Sequence, residues 1–476
     1  MDGTYRSREL KIEKNKILFF VSSMFFIASI DLVFIYILPI EDLKYAFLLN
    51  VLLSVFCYFK MFGKLWHPVF IFIGTLTLFQ CGLIIASTFI KNIDLCYVWA
   101  QEANLFLEEG PVRLTVLLIS LSYWFLLIGA YLGNKKKIKQ GNSKKRRCYD
   151  CNFLKNLFFV IFFIVMPFYF YKQLSYFNYF KYHGYIGFYQ STEFKGDVSL
   201  LVRIISLFEP IAFLGYFFLE KNKKFVFLIS LIYFIITIPI LLCGFRSEFF
   251  TFWLTVFLFY NYKFNNKLKI KTLAILIIII SVVGALISYS RTYLSYNLEF
   301  ILKENPIMGF LVEQGIPFHV TAMAIEFKKE FAPNIFKYLM WEPICNIFPT
   351  ALNVPGRAFS TDIMIKINYK RYLMGNGIGS SYLAEAYLLG GSVNVCLISF
   401  FIGYILSILY KCFEYANVYI KILIFQLMQY IFFLPRDLLL RPLSVAIEVS
   451  ALLLFLFLVV NFRFFRHFNG SADAVE

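Results

Sequence analysis

The stretch GNGIGSSYLAEAYLLGG, at residues 375–391, combines five glycines with two adjacent serines and places one carboxylate, that of Glu385, at the start of an apolar segment. Glycines allow a tight turn, and a serine hydroxyl can cap the helix that follows. The N-terminus of a helix carries partial positive charge and can bind an anion. We therefore expect Glu385 one turn inside a helix, beside a turn that binds a substrate head group. The residues assigned to this turn are Gly377, Gly379, Ser380, Ser381 and Tyr387.

Several arginines lie near the ends of apolar runs, where they can meet a ligand at the membrane surface. Arg436 and Arg441 stand in FLPRDLLLRP, and Arg246 follows ILLCGF. The planar guanidinium group binds phosphate oxygens in pairs, so a group of such residues predicts a pyrophosphate site. Each arginine alone could equally be a snorkelling or ion-paired structural residue. The residues assigned to the pyrophosphate site are Arg246, Arg291, Arg357, Arg436 and Arg441.

Carboxylates and one histidine in the second half of the chain are candidates for a general base. Such a group would take the proton of a substrate hydroxyl, for example that of a sugar. The candidates are Glu313, His319 and Glu385, with Asp362 as a fourth. For each of them, the alternative is a hydrogen-bonded structural role.

No sequence pattern predicts a metal or a cofactor. Cys148 and Cys151 form a lone C-x-x-C without the second pair that would complete a zinc site. The glycines of GNGIG, at 375–379, have the wrong spacing for a dinucleotide-binding loop, and no strand precedes them. We therefore expect neither a metal nor a cofactor.

The composition places the chain among membrane proteins. Of its 476 residues, 60% are hydrophobic and 16% are charged, whereas soluble domains are about half apolar and about a quarter charged. The formal net charge of +17 is concentrated in short clusters beside apolar runs, a pattern typical of cytoplasmic loops rather than of a nucleic-acid-binding surface. These clusters are 11–16, 135–147, 221–224, 263–271 and 463–467.

The apolar runs predict an all-α polytopic membrane protein of roughly 12 transmembrane helices, forming a single integral membrane domain over 1–476. The first run is too long for a signal peptide and lacks a small-residue cleavage site, so we expect it to be retained. The predicted spans are 17–38, 45–63, 67–90, 113–133, 153–171, 199–219, 225–243, 248–260, 272–290, 386–410, 418–434 and 443–462.

The basic clusters orient these helices with both termini in the cytoplasm. The basic segment 134–152 then forms a cytoplasmic loop, and 91–112 and 172–198 form extracytoplasmic ones. The large extracytoplasmic loop 291–380 is too long to be structureless, so we expect it to contain short helices. An enzyme facing this side has no nucleotide sugars and needs an activated substrate borne by a lipid.

Three motifs resemble those of the Wzy-type O-antigen and capsule repeat-unit polymerases of the bacterial cytoplasmic (inner) membrane. CGFRSEFF, at 243–250, resembles the family's Gly-x-Arg element at a helix end. GIGSSYLAEAYLLGG, at 377–391, is similar to the stretch that follows the large loop, and LPRDLLLRPL, at 434–443, resembles a Pro-Arg element. The resemblance covers roughly 240–445. It departs from the family at Leu388 and Leu389, where Asn-Phe-Gly is common.

This resemblance implies a metal-independent glycosyltransferase, inverting or retaining, that uses undecaprenyl-pyrophosphate oligosaccharides. The growing glycan on one lipid would be the donor, and a hydroxyl at the non-reducing end of a new lipid-linked repeat unit would be the acceptor. The implied partners are these substrates, membrane lipid, a chain-length regulator and a flippase, but no nucleic acid.

Three other functions remain open at this stage. An O-antigen ligase would use the same donor and pass the glycan to a lipid core. A flippase or transporter of lipid-linked oligosaccharides would need charges on both sides of the membrane midplane, whereas intramembrane charges such as Asp31 and Glu448 are sparse. A dolichol-type transferase would need an acidic first outer loop, and the short PIEDLK at 39–44 gives it little support.

Overall fold

The computed structural model describes residues 38–90, 93–98, 105–136, 151–190, 198–243, 246–264, 305–347, 358–373 and 377–470, and scattered positions between 22 and 37. These residues form helices and turns, with one isolated β-bridge between Tyr97 and Phe106. The helices before the central gap are α1 (Ile40–Phe62), α2 (Pro68–Phe89), α3 (Glu109–Lys135), α4 (Cys151–Gln190), α5 (Leu200–Ser206), α6 (Phe208–Leu219), α7 (Lys223–Leu242) and α8 (Arg246–Phe264).

The second half contains five short helices and then three long ones. The helices are α9 (Pro306–Gln314), α10 (Ile316–Glu326), α11 (Lys328–Phe331), α12 (Ile335–Ile347), α13 (Phe359–Leu373), α14 (Tyr382–Tyr415), α15 (Val418–Phe433) and α16 (Arg441–Gly470). Short 3₁₀ turns occupy Ala332–Asn334 and Leu434–Arg436. The predicted all-α membrane architecture is confirmed for the part of the chain that the structure describes.

Nine stretches of the described chain are long and apolar enough to cross a membrane. They comprise α1 to α3, most of α4, α5 with α6, α7, α14, α15 with the 3₁₀ turn that follows it, and the first part of α16. The predicted span 248–260 forms α8, which is not among the nine. The predicted span 272–290 lies outside the described residues, as does most of 17–38.

Helix α4 corrects one boundary of the sequence interpretation. The span was expected to end at 171 and to be followed by a loop over 172–198, but the helix continues to Gln190. The sequence KQLSYFNYFKYH after Tyr171 contains neither glycine nor proline, so nothing interrupts the helix at the edge of its apolar run. Lys172 and Gln173 therefore belong to a helix rather than to a loop.

Glycines bring α3 and α14 into backbone contact. A Cβ added to Gly403 would overlap the carbonyl oxygen of Leu126, and one added to Gly129 would overlap that of Phe400. Small residues permit this close approach between membrane helices. The contact anchors α14, which begins with the glycine- and serine-rich stretch.

A second glycine contact fixes α9 and α10 on α2. A Cβ on Gly82 would lie 2.6 Å from the carbonyl oxygen of Leu311, and one on Gly315, between the two short helices, would overlap the backbone of Leu83. The short helices thus pack on α2 backbone to backbone. This contact positions Glu313 and His319, two of the predicted site residues.

Candidate functional site

Glu385 lies on a short helical segment bounded by glycines. Ser381 is the N-cap of α14, because its Oγ accepts a hydrogen bond from the backbone N–H of Leu383 at 3.2 Å. The preceding Gly379 has φ +81°, a conformation that favours glycine. Gly391 (φ +67°) then interrupts the helix after Leu389. The segment from 382 to 389 is therefore set off from the rest of α14, and most of it is fully buried.

The Glu385 side chain is 0% exposed and accepts hydrogen bonds from two separate parts of the chain. One comes from the Oγ of Ser380. The other comes from the backbone N–H of Leu439, 2.8 Å from the second carboxylate oxygen. Leu439 lies between Arg436 and Arg441, so Glu385 holds the turn that carries both arginines.

Gln80 of α2 holds the other end of this turn, and sequence reasoning missed it. Its Nε2 donates to the carbonyl oxygen of Pro435 at 2.7 Å and to the Oγ of Ser381 at 2.8 Å. Its Oε1 accepts from the hydroxyl of Thr321 at 3.4 Å. This fully buried amide therefore joins α2, α10, α14 and the turn before α16. Its sequence signal was a long polar side chain within an apolar span, where a partner is needed.

Arg436 points toward α9. Its Nη1 donates to the side-chain oxygen of Gln314 at 2.8 Å and to the backbone oxygen of Glu313 at 3.3 Å. The guanidinium carbon lies 5.7 Å from the centroid of the Phe79 ring. The side chain is partly exposed, so these contacts orient the guanidinium group without burying it.

Arg441, five positions later, makes its contacts with α8 and α15. Its Nη2 lies 3.4 Å from Oε1 of Glu248, and its guanidinium carbon is 5.5 Å from the Tyr430 ring centroid. Burial raises the pKa of the neighbouring Asp437 carboxyl, although the charge of Arg441 and the N–H of Leu438 favour its ionised form. The two arginines of the turn thus contact different helices: Arg436 contacts α2 and α9, and Arg441 contacts α8 and α15.

A cavity of about 230 Å³ lies beside Arg441, between α4, the α5–α6 pair, α7, α8 and α15. Glu248, the ion-pair partner of Arg441, is part of its wall. The other polar wall residues are Tyr169, Lys172, Gln173, Ser206, Tyr233, Thr237, Gln426, Gln429 and Tyr430, and the apolar ones include Phe249, Phe252 and Trp253. Sequence reasoning assigned Lys172 and Gln173 to a loop and did not predict this cavity.

His319 is buried in α10 and is oriented by a loop. Its Nε2 lies 3.1 Å from the carbonyl oxygen of Leu95 and, in the tautomer that this contact requires, donates a proton to it. Burial lowers the pKa of His319 to about 4, and the contact with Leu95 only partly opposes this shift. The imidazole is therefore neutral at pH 7, and its Nε2 is not open to accept a proton.

The remaining predicted residues are distributed as follows. Glu313 is buried at the end of α9, and Asp362 of α13 accepts a hydrogen bond from the Tyr338 hydroxyl at 2.7 Å. The ring of Tyr387 has the ammonium group of Lys328 4.8 Å from its centroid.

Three of the predicted arginines, Arg246, Arg291 and Arg357, lie outside the turn, and the structure describes only the backbone of Arg246. Arg246 begins α8, but its side chain lies outside the described part of the structure, as do Arg291 and Arg357 entirely. Their assignment to a pyrophosphate site stays a prediction. Within the described residues, no three His, Cys, Asp or Glu side chains are grouped so as to hold a metal ion.

The fold and the buried polar site define a multi-pass α-helical membrane protein. The model of one protein family, described as O-antigen polysaccharide polymerase Wzy, matches residues 15–467. The chain therefore belongs to the O-antigen polysaccharide polymerase Wzy family, as the resemblance over 240–445 indicated. No curated protein and no solved structure matched the chain.

Proposed function

We propose that this protein polymerises undecaprenyl-pyrophosphate-linked oligosaccharide repeat units at the extracytoplasmic face of the bacterial cytoplasmic membrane. The bond between the anomeric carbon of the growing glycan and its pyrophosphate breaks. A new bond forms between that carbon and a hydroxyl oxygen at the non-reducing end of a fresh lipid-linked repeat unit. The hydroxyl proton passes to a base, and undecaprenyl pyrophosphate leaves as an anion. Family membership supports the polymerase activity, and the arginines described above support a donor that carries a pyrophosphate.

The turn at 434–441 is the observation that carries this proposal. Gln80 binds it at Pro435 and Glu385 binds it at Leu439, so its backbone is held at two points. The turn presents two guanidinium groups, those of Arg436 and Arg441. Cations that are fixed before the reaction stabilise the charge that develops on a leaving pyrophosphate, because no reorganisation is needed during the reaction.

The base is to be sought among the three predicted residues. Glu313 is a buried carboxylate whose own backbone oxygen binds Arg436. Glu385 accepts two hydrogen bonds, which favours a positioning role for it. For His319, only Nδ1 remains to accept a proton, because Nε2 contacts Leu95. We favour Glu313 as the group that accepts the proton, because the contact of its backbone oxygen with Arg436 places it beside the turn that carries the arginines.

The orientation of the chain supports a lipid-borne donor. The positive-inside tendency assigns both termini and the basic loop 134–152 to the cytoplasm. The stretch 377–391 and the turn at 434–441 then face outward, where no nucleotide sugar is present. A metal-independent reaction is consistent with a site built from arginines, and a flippase and a chain-length regulator would supply the substrate and set the product length.

The test uses purified protein reconstituted with a defined undecaprenyl-pyrophosphate repeat unit. We expect Arg436→Ala to leave the protein folded but to yield single repeats without polymer. Arg436→Lys should also be impaired, because lysine lacks the bidentate geometry. The control is Lys329→Ala, which removes an exposed positive charge from α11, the short helix that follows α10 in the chain. Wild-type chain lengths in Arg436→Ala would refute the assignment.

The same assay separates the alternative activities. Glycan transferred to an added lipid core, with no growth of the lipid-linked chain, would identify a ligase. Passage of the lipid across the bilayer without any new glycosidic bond would identify a transporter. Lengthened lipid-linked glycan is the result expected for the polymerase.

A further inference from the structure

We propose that the cavity beside Arg441 is a sugar–phosphate subsite. In this proposal, which rests on the proposed function, the cavity binds the part of the donor closest to the membrane: the first sugar and the phosphate that joins it to the lipid. The rest of the glycan would lie outside the cavity. Four properties of the cavity support this assignment.

The first property is the position of the cavity relative to the membrane surface. Helix α4 begins at Cys151, beside the basic loop, and Lys172 follows 21 residues later. At about 1.5 Å per residue this distance is about 32 Å, close to the thickness of the hydrocarbon core. Lys172 thus lies near the membrane surface opposite Cys151. Glu248 at the start of α8 and Gln429 near the end of α15 line the same cavity, so it lies at the level of the membrane where a lipid head group would lie.

The second property is the chemistry of its wall. Aromatic rings, among them Trp253 and Tyr430, can pack against the apolar C–H face of a sugar ring. Amide and carboxylate groups, such as those of Gln426 and Glu248, can exchange hydrogen bonds with sugar hydroxyls. A wall that combines aromatic rings with convergent hydrogen-bonding groups can therefore hold one sugar ring on both its apolar and its polar sides.

The third property is that two wall residues have unused hydrogen-bonding capacity. The side-chain oxygens of Gln173 and Gln429 are buried and have no hydrogen-bond partner among the described residues. The two residues are only 1% and 5% exposed. Buried polar atoms are nearly always paired, so two such atoms on residues that line one cavity are consistent with a ligand whose donor groups complete them. Sugar hydroxyls are such donors.

The fourth property is the balance of charge and size. Lys172 lines the cavity, and the guanidinium group of Arg203 acts electrostatically on it while two of its own buried nitrogens lack partners among the described residues. Lys172 is thus a cation in the wall that can pair with a phosphate, and Arg441 lies next to the wall through its contact with Glu248. A volume of about 230 Å³ is somewhat smaller than the pockets of about 300–1,000 Å³ that hold drug-sized ligands. It therefore suits one sugar with its phosphate better than a whole repeat unit.

The experiment measures binding rather than turnover. Full-length protein in phosphatidylcholine nanodiscs is titrated with undecaprenyl pyrophosphate and, separately, with the same lipid carrying one native repeat unit. Trp253 reports occupancy through its fluorescence, and Trp253→Phe identifies its share of the signal. We expect Gln173→Leu and Gln429→Leu to weaken binding of the sugar-bearing lipid about tenfold, the effect of losing one good hydrogen bond. Binding of the sugar-free lipid should be unchanged.

Two further arms complete the test. Lys172→Met should weaken binding of both lipids, whereas Leu174→Met, at a neighbouring position that is 37% exposed, should weaken neither. If Gln429→Leu does not fold, the isosteric Gln429→Glu replaces it, and its added negative charge should weaken binding of both lipids. Phosphatidylglycerol, added alone, should give no Trp253 response.

Three results would overturn the subsite. They are unchanged affinity of the folded glutamine variants for the sugar-bearing lipid, equal losses for both lipids in Gln173→Leu, and a full Trp253 response to phosphatidylglycerol. None of these results tests the proposed polymerase activity, which depends on the outcome for Arg436→Ala. Loss of polymer in Arg436→Ala together with unchanged binding in the glutamine variants would leave the function standing and remove only the subsite.

Discussion

The buried carboxylate of Glu385 accepts a hydrogen bond from the backbone N–H of Leu439, 2.8 Å away and 54 positions later in the chain. This bond connects the first turn of α14 to the segment between Arg436 and Arg441. Glu385 therefore acts on the two arginines through the backbone that carries them. Its second hydrogen bond, from Ser380, leaves both carboxylate oxygens engaged.

Substitution of Glu385 should separate a positioning residue from a general base. Glu385→Ala leaves the buried N–H of Leu439 without its acceptor, at a cost of about 1–3 kcal/mol, and should lower both stability and polymer yield. Glu385→Gln retains one acceptor oxygen, so we expect it to lose no more than about tenfold in rate. The measurement is the rate of chain extension by reconstituted protein as a function of pH.

A catalytic base would give a different pattern in these variants. Its removal costs about 10²–10⁴-fold, so Glu385→Gln would be as inactive as Glu385→Ala. The acid limb of the pH–rate profile would also vanish in Glu385→Gln. That result would contradict a positioning role.

A charge exchange at Arg441 and Glu248 should separate ion pairing from function. The pair is 3.4 Å apart and partly exposed, so its contribution to stability is small. The double variant Arg441→Glu/Glu248→Arg can restore the pair, and we expect its thermal unfolding temperature to stay close to that of the wild type. Any fall in that temperature would reflect the loss of the Arg441 charge beside the buried carboxyl of Asp437. Polymer should be lost while the protein remains folded, since the guanidinium group no longer projects from the turn. Normal polymer from the exchanged pair would show that Arg441 is structural.

The contact between α3 and α14 should be intolerant of even one methyl group. In Gly403→Ala the new Cβ overlaps the carbonyl oxygen of Leu126, so we expect a loss of at least about 1–3 kcal/mol, the usual cost of overpacking. Gly74→Ala is the matched control, because it lies within α2 with no atom near the added Cβ. That variant should be neutral or slightly more stable. Similar unfolding temperatures for the two variants would argue against the close packing.

Acidification should destabilise the protein through His319. Its pKa of about 4 in the folded protein is below the ordinary value of 6.5, so the unfolded chain binds the proton more readily. The stabilisation is complete above pH 6.5 and is lost as the pH falls toward 4. His319→Gln, which can still donate to Leu95, should flatten the dependence of the unfolding temperature on pH in this window. His183→Gln, at an exposed position, should leave the dependence as in the wild type.

Local patterns in the sequence were sufficient to find part of this site. The glycines and serines before Glu385 predicted a capped helix, and Ser381 caps it. The arginines at 436 and 441 were selected because they lie at the ends of apolar runs on the predicted outer side, where the positive-inside tendency disfavours cations, and their role stays a prediction. In each case the informative residues lie within one short stretch.

Contacts between distant parts of the chain escaped the sequence interpretation. Gln80 and Ser381 are 301 positions apart, and nothing near Gln80 indicates its partner. Lys172 and Gln173 were assigned to a loop because the apolar run ends at Tyr171. The helix nevertheless continues through the more polar residues that follow. The cavity arises from five helical regions and has no signature in any of them.

The two glycines with positive φ around the first segment of α14 have a mechanical consequence. Gly391 separates the residues from 382 to 389 from the long membrane-crossing part of the helix, and Gly379 precedes the cap at their other end. A change in bilayer thickness is accommodated by tilting spans, and a helix that is interrupted at Gly391 need not transmit that tilt to Glu385. We therefore expect the geometry around the turn to depend little on the lipid composition of the membrane in which the protein works.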